Sequence, residues 1–119
     1  MEKIKTFEDA CAAIGISTAV PDLSALPAAD NKSMTAFYKL RIIAQALNEG
    51  WQPNWSDSNE WKWMPWFDEK EPGSGLSFVV ADDWATVTIV GSRLCFKSRK
   101  LCEYAADQFA DLYLDYINN

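Results

Sequence analysis

The stretch 76–97, LSFVVADDWATVTIVGSRLCFK, decides how the fold is read from the sequence. Its β-branched and aromatic residues recur in the two-residue period of half-buried strands, and two short polar dipeptides interrupt them. With Asp82-Asp83 turning one hairpin, Phe78 faces Val87 and Leu76 faces Ile89. With Gly91-Ser92 turning the next, Val87 faces Phe96 and Ile89 faces Leu94. Both turns give the same apolar face, while Ser77, Thr86, Thr88, Arg93 and Lys97 make the reverse face polar. The expectation is an antiparallel meander covered by helices on one side.

Downstream, Ser98 caps a final helix whose apolar positions include Leu101, Ala105, Phe109, Leu112, Tyr113, Tyr116 and Ile117. Upstream, Trp61 and Trp63 alternate as in a strand. Pro65 lacks an N–H, so that strand belongs at a sheet edge or breaks there. Residues 68–74, with Pro72-Gly73, read as an exposed loop. Earlier still, a helix starts at Thr6, with Glu8 and Asp9 at its positive end, and stops near Gly15. Residues 16–26 form a connecting loop that Leu23 and Leu26 pin to the core. A second helix opens at Pro27 and runs to Gly50, with Phe37, Leu40, Ala44 and Leu47 on its buried stripe. The sum is one α+β domain over residues 1–119. Its three helices pack on one face of a three- to four-stranded antiparallel meander, in the order ααββββα.

The composition suits that size. At 119 residues one core suffices, and a 49% hydrophobic fraction with six Trp, six Phe and four Tyr supplies it. No apolar run reaches the ~20 residues of a membrane span, and the charged start MEKIKTFEDA is unlike a signal peptide. Cys11, Cys95 and Cys102 are odd in number and form no CxxC pair, so reduced thiols packed as small hydrophobes are expected.

Seventeen acids against eleven bases give a net charge of −6, which opposes direct binding to a nucleic-acid backbone. Histidine is absent, which removes the commonest general base, the His-assisted nucleophile and the imidazole metal ligand. No catalytic residue, metal ligand or cofactor site is assigned. The loop acids Asp57, Glu60, Asp68, Asp82 and Asp83 form no EF-hand or other diagnostic motif, and Pro72-Gly73-Ser74-Gly75 lacks the lysine of a P-loop.

Two constellations remain as partner-binding candidates. One is the tryptophan-rich segment, with Trp55, Asp57, Asn59, Trp61, Trp63 and Trp66. Its rings either fill space between sheet and helix or form a contact surface or stacking platform; Trp55, set among polar residues, is the expected exposed anchor. The other is Glu103, Asp107, Asp111 and Asp115, at four-residue spacing on one stripe of the last helix. Arg99 and Lys100 at that helix's positive end and Asp111 and Asp115 near its negative end oppose the dipole. A solvated face with intramolecular basic partners is the plain explanation, and a basic partner surface the functional one.

NWSDSNEWKWMPWF at 54–67 and GSRLCFKSRKLCEYAADQFADLYLDY at 91–116 resemble a group of short uncharacterised proteins found in prophages and other mobile elements of gut bacteria. TFEDACAAIGI and ALNEGW extend the similarity over nearly the whole chain. The resemblance implies a mobile-element context and a reducing bacterial cytoplasm, and it carries no catalytic residue. Three functions compete: a nonenzymatic protein-binding module or mobile-element accessory factor, with a partner of basic surface; a small-ligand or single-strand nucleic-acid binding domain using exposed tryptophans; and a cryptic carboxylate-dependent enzyme.

Overall fold

A computed structural model describes residues 3–57, 59–68, 77–83 and 93–117, with backbone alone at Trp66, at Asp68 and over 77–83. The first helix, α1 (Phe7–Ile14), is bounded by its own residues. The Thr6 hydroxyl accepts the Asp9 N–H at 3.1 Å, and the Asp9 carboxylate accepts the N–H groups of Thr6 and Lys5 at 3.2 and 3.0 Å. Gly15 ends the helix at φ 76°, where the left-handed backbone lets the N–H groups of Gly15 and Ile16 reach back to Ala12 and Cys11.

Helix α2 (Ala28–Leu47) follows Pro27 and buries Ala36, Leu40, Ile42, Ile43, Ala44, Ala46 and Leu47. The loop before it is held by the Asn31 side-chain amide, which donates to the Leu23 carbonyl at 2.8 Å. The expected second pin is corrected: Leu26 is exposed. After α2 the chain reverses through Glu49 (φ 50°) and Gly50 (φ 89°), a left-handed pair that a glycine accommodates without a Cβ clash.

The strand region departs from expectation. Strand β1 (Trp63–Asp68) pairs antiparallel with β2 (Ser77–Asp83), Trp63 opposite Asp83 and Asp68 opposite Ser77, with a register shift between Trp66 and Phe67. Asp82 and Asp83 are therefore paired strand residues and make no hairpin turn. The proposed partners Leu76, Val87 and Ile89, the 68–74 loop beyond Asp68 and the Gly91-Ser92 turn lie outside the described residues.

Phe96 takes a different neighbour: it exchanges two backbone bonds with Trp63, at 3.1 and 2.8 Å. The opposite edge of 95–97 is filled by a side chain. The buried Asn48 amide donates to the Cys95 carbonyl and accepts the Lys97 N–H, both at 3.0 Å. Among the described residues, Trp63 and Asn48 hold the two edges of 95–97, and the expected row of Phe96 with Val87 lies outside them. The meander of three to four strands is thus replaced, among the described residues, by one two-stranded pair plus a single bridge. Along β1, Pro65 shares its hydrogen-bonding side with Trp63 and faces away from β2, so its missing N–H leaves the β1–β2 ladder intact.

The expected single C-terminal helix is two, α3 (Arg99–Gln108) and α4 (Ala110–Ile117). The Ser98 hydroxyl caps α3, accepting the Leu101 N–H at 3.3 Å. Phe109, at φ −115° and ψ 28°, breaks the run, and its carbonyl accepts from both Leu112 and Tyr113. The break lets the apolar face change partner: α3 packs against β1 and β2, whereas α4 packs along α2. Phe37 meets Tyr116 at 5.5 Å there, and the Ser33 hydroxyl donates to the Tyr116 carbonyl. With α1 also on α2, the core is a mainly helical body that includes Phe7, Leu40, Ile43, Phe96, Cys102, Phe109 and Tyr113; the strands lean chiefly on α3, and Phe67 of β1 reaches Tyr113 of α4 with ring centroids 5.2 Å apart. Three helices on one sheet face are not what forms. Helix predominates because α2 supplies a long stripe that α1 and α4 bury directly.

Candidate functional site

The tryptophan-rich segment is organised by a residue that the sequence reading passed over. Lys62 is fully buried, yet its ammonium is satisfied: it lies 3.2 Å from the Glu60 carboxylate and 3.2 Å from the carbonyls of Asp57 and Glu60, and 5.1 Å from the centroid of the Trp55 ring. Glu60 also accepts the Asn54 N–H at 2.7 Å. A buried lysine thus staples residues 54–62 into a closed loop. The available signal was alternation: in Trp61-Lys62-Trp63 the lysine points opposite to the two indoles, toward a turn containing Asp57 and Glu60.

Trp55, expected as the exposed anchor, is half-buried against Lys62. Asp57 and Asn59 are exposed, the Asp57 carboxylate accepting the Asn59 N–H at 2.9 Å. Trp61 is instead the outward ring, 56% exposed, stacked on half-buried Trp63 at 5.8 Å with planes 22° apart. Trp66 lies in β1, and its side chain is outside the described residues.

The stack continues onto α3. The Arg99 guanidinium stands 5.9 Å from the centroid of the Trp63 ring, and its Nε pairs with Glu103 at 3.5 Å. Exposed Asp107 follows Glu103 by one helical turn. The structure therefore joins Trp61, Trp63, Arg99, Glu103 and Asp107 into one strip.

The other half of the acidic row is separated from it. Beyond the Phe109 break, Asp111 lies in the first turn of α4, where a carboxylate complements the dipole, so the expected penalty there is corrected. Asp115 pairs with Lys32 of α2 at 3.4 Å. Two of the four acids thus have the intramolecular cations of the plain reading, and the four do not share a single helix.

The other chemical groups are quiet. Cys11, Cys95 and Cys102 are free and buried; burial pushes the Cys95 thiol up to about 11 and Cys102 up to about 12, and Cys11 is raised as well. Such thiols stay protonated near neutrality and are poor nucleophiles. Of the loop acids, Glu60 is committed to Lys62 and Asn54, Asp57 faces solvent, and the side chains of Asp68, Asp82 and Asp83 are outside the described residues. Among the described residues no cluster of acids or thiols has metal-binding geometry, and no helix is long and apolar enough to cross a membrane. Comparison with protein-family models, with curated proteins and with solved structures finds no match to this chain, so its own geometry carries the functional reading.

Proposed function

We propose that this chain is a nonenzymatic protein-binding module, a mobile-element accessory factor of the bacterial cytoplasm, that takes a partner of basic surface through the strip Trp61, Trp63, Arg99, Glu103 and Asp107. The observation that carries the reading is the continuity of that strip: an indole 56% exposed passes, through Trp63 and Arg99, directly into the acidic face of α3. Exposed aromatic rings anchor protein contacts by burying large rigid area, and neighbouring carboxylates steer and orient a basic partner. The mobile-element and cytoplasmic parts rest on the resemblance of residues 54–67 and 91–116, and three buried free thiols suit a reducing compartment.

The test is capture from a bacterial host lysate, identification of the partner and measurement of the purified pair by calorimetry. Trp61→Ala should weaken binding about tenfold or more, as truncation of an interface anchor does. Asp107→Lys should slow association and flatten its salt dependence. A purified pair whose affinity and salt dependence are unchanged by both substitutions overturns the assignment.

A further inference from the structure

A second feature lies on another part of the molecule and uses the opposite charge. Where α2 ends and the chain turns back through Gly50, a cleft of about 360 Å³ opens, lined by residues that include Arg41, Gln45, Trp51, Gln52, Trp55 and Arg93. Arg41 and Gln45 are one turn apart on α2, Trp51 and Gln52 follow the reversal, Trp55 belongs to the lysine-stapled loop, and Arg93 precedes the Phe96 bridge. Four separate segments converge, and two contacts described above hold them in place. Asn48, also in the lining, ties the end of α2 to residues 95–97, and Lys62 holds the ring of Trp55.

The charge of this lining runs against that of the whole chain. In a protein of net charge −6, the described lining contains two arginines and no carboxylate. Neither Arg41 nor Arg93 has an ion-pair partner among the described residues, whereas Lys32, Lys62 and Arg99 each have one. Two guanidiniums facing one cavity repel each other unless an anion lies between or beside them, and their planar donor forks match phosphate and carboxylate oxygens. The Trp51 indole offers a surface to a flat ring, with Trp55, its ring already held by Lys62, beside it, and the two glutamines offer donor and acceptor groups to a ring edge. A cavity of this volume falls at the small end of ordinary ligand sites, enough for a single ring system with one anionic group.

We propose that this cleft binds a small planar anion, an aromatic ring carrying one phosphate or carboxylate, with the anion on Arg41 and Arg93 and the ring against Trp51 and Trp55. The site is independent of the strip proposed for the protein partner, and its failure leaves that reading untouched.

Calorimetric titration of the full chain with adenosine monophosphate and with indole-3-acetate tests it, with adenosine and inorganic phosphate as the two halves of the first probe and indole and acetate as those of the second. The expected result is saturable binding of at least one planar anion, about tenfold or more tighter than either of its own halves. Preference for the nucleotide assigns a phosphate-bearing ligand, and preference for the acetate a carboxylate-bearing one. Arg93→Gln, at an exposed position, should weaken that binding about tenfold, the scale of one lost charge-assisted hydrogen-bond partner, and Arg93→Glu should abolish it. Lys5→Gln, an exposed cation outside the cleft, should leave it unchanged. Circular dichroism of each variant confirms the fold. Equal affinity for the planar anions and their separate halves, or binding that survives Arg93→Glu in a folded protein, overturns the proposal.

Discussion

Helix α1 and the segment 95–97 satisfy their backbone groups in opposite ways. Both termini of α1 are closed by residues within five positions along the chain: Thr6 and Asp9 at one end, Gly15 and Ile16 at the other. Segment 95–97 has one edge on Trp63 and the other on the side chain of Asn48, 47 and 49 residues away. The difference teaches where this fold is vulnerable. Loss of a local bond frays one turn, but loss of a distant one releases the strand segment, the end of α2 and the wall of the cleft together.

The sharpest way to break that contrast is Asn48→Leu. The substitution keeps the branched side-chain shape, with somewhat greater bulk, but removes both hydrogen bonds to 95–97 at a buried position. The expected cost is about 3 kcal/mol in urea unfolding, since each lost buried partner costs about 1–3 kcal/mol. A cost under about 1 kcal/mol, with the fold unchanged, would show that the amide clamp is incidental.

Lys62→Met comes next. Its thioether chain can fill the space of the lysine stem, but the carbonyls of Asp57 and Glu60 lose their donor and Glu60 its counter-ion. Because Glu60 retains access to water, a loss of about 2 kcal/mol is expected, below the cost of leaving a fully buried charge alone. Hydrogen exchange in 54–62 should rise by more than exchange in α1, and uniform exchange would contradict a loop held by one residue.

Thr6→Ala should cost about 1 kcal/mol, the usual value of a helix N-cap, with exchange rising in the first turn of α1 only. The smallest effect is one of pH. The backbone N–H of Lys5, followed by the Thr6 contacts, holds the Asp9 carboxyl below its ordinary value of 3.8. A depressed folded-state value stabilises the protein above that ordinary value, and the contribution disappears as pH falls through the folded-state value. Chemical-shift titration should therefore place the Asp9 midpoint below 3.8, and Thr6→Ala should move it upward. An unmoved midpoint would deny the hydroxyl a part in holding the carboxylate.

The same contrast explains what was legible. Thr6, Gly15 and Ser98 mark helix boundaries through bonds to near neighbours, and each stands where the sequence places it, whereas Pro27 sits one residue before α2 with no side-chain cap bond. The two-residue period in 76–97 identified apolar residues that are buried at Leu94 and Phe96, but it did not name Trp63, the strand neighbour that Phe96 takes. Alternation tells which side chains share a face and says nothing about which edge a strand will find. Arg99 illustrates the limit at the candidate site: its spacing to Glu103 is a helix pair visible in sequence, while its place over Trp63 depends on α3 lying against β1.

By itself the sequence determined the helix ends, the acidic balance and the absence of histidine chemistry, because these follow from residue identity and contacts within one or two turns. Only the tertiary structure decided that Asn48 takes the place of a strand, that Lys62 goes inside, that Phe109 divides the acidic row, and that Arg41 and Arg93 share a cleft in an acidic protein. Each of those outcomes is a competition among distant partners for one edge or one buried space. The winner is set by packing of the whole core, where burial makes an unpaired polar group costly.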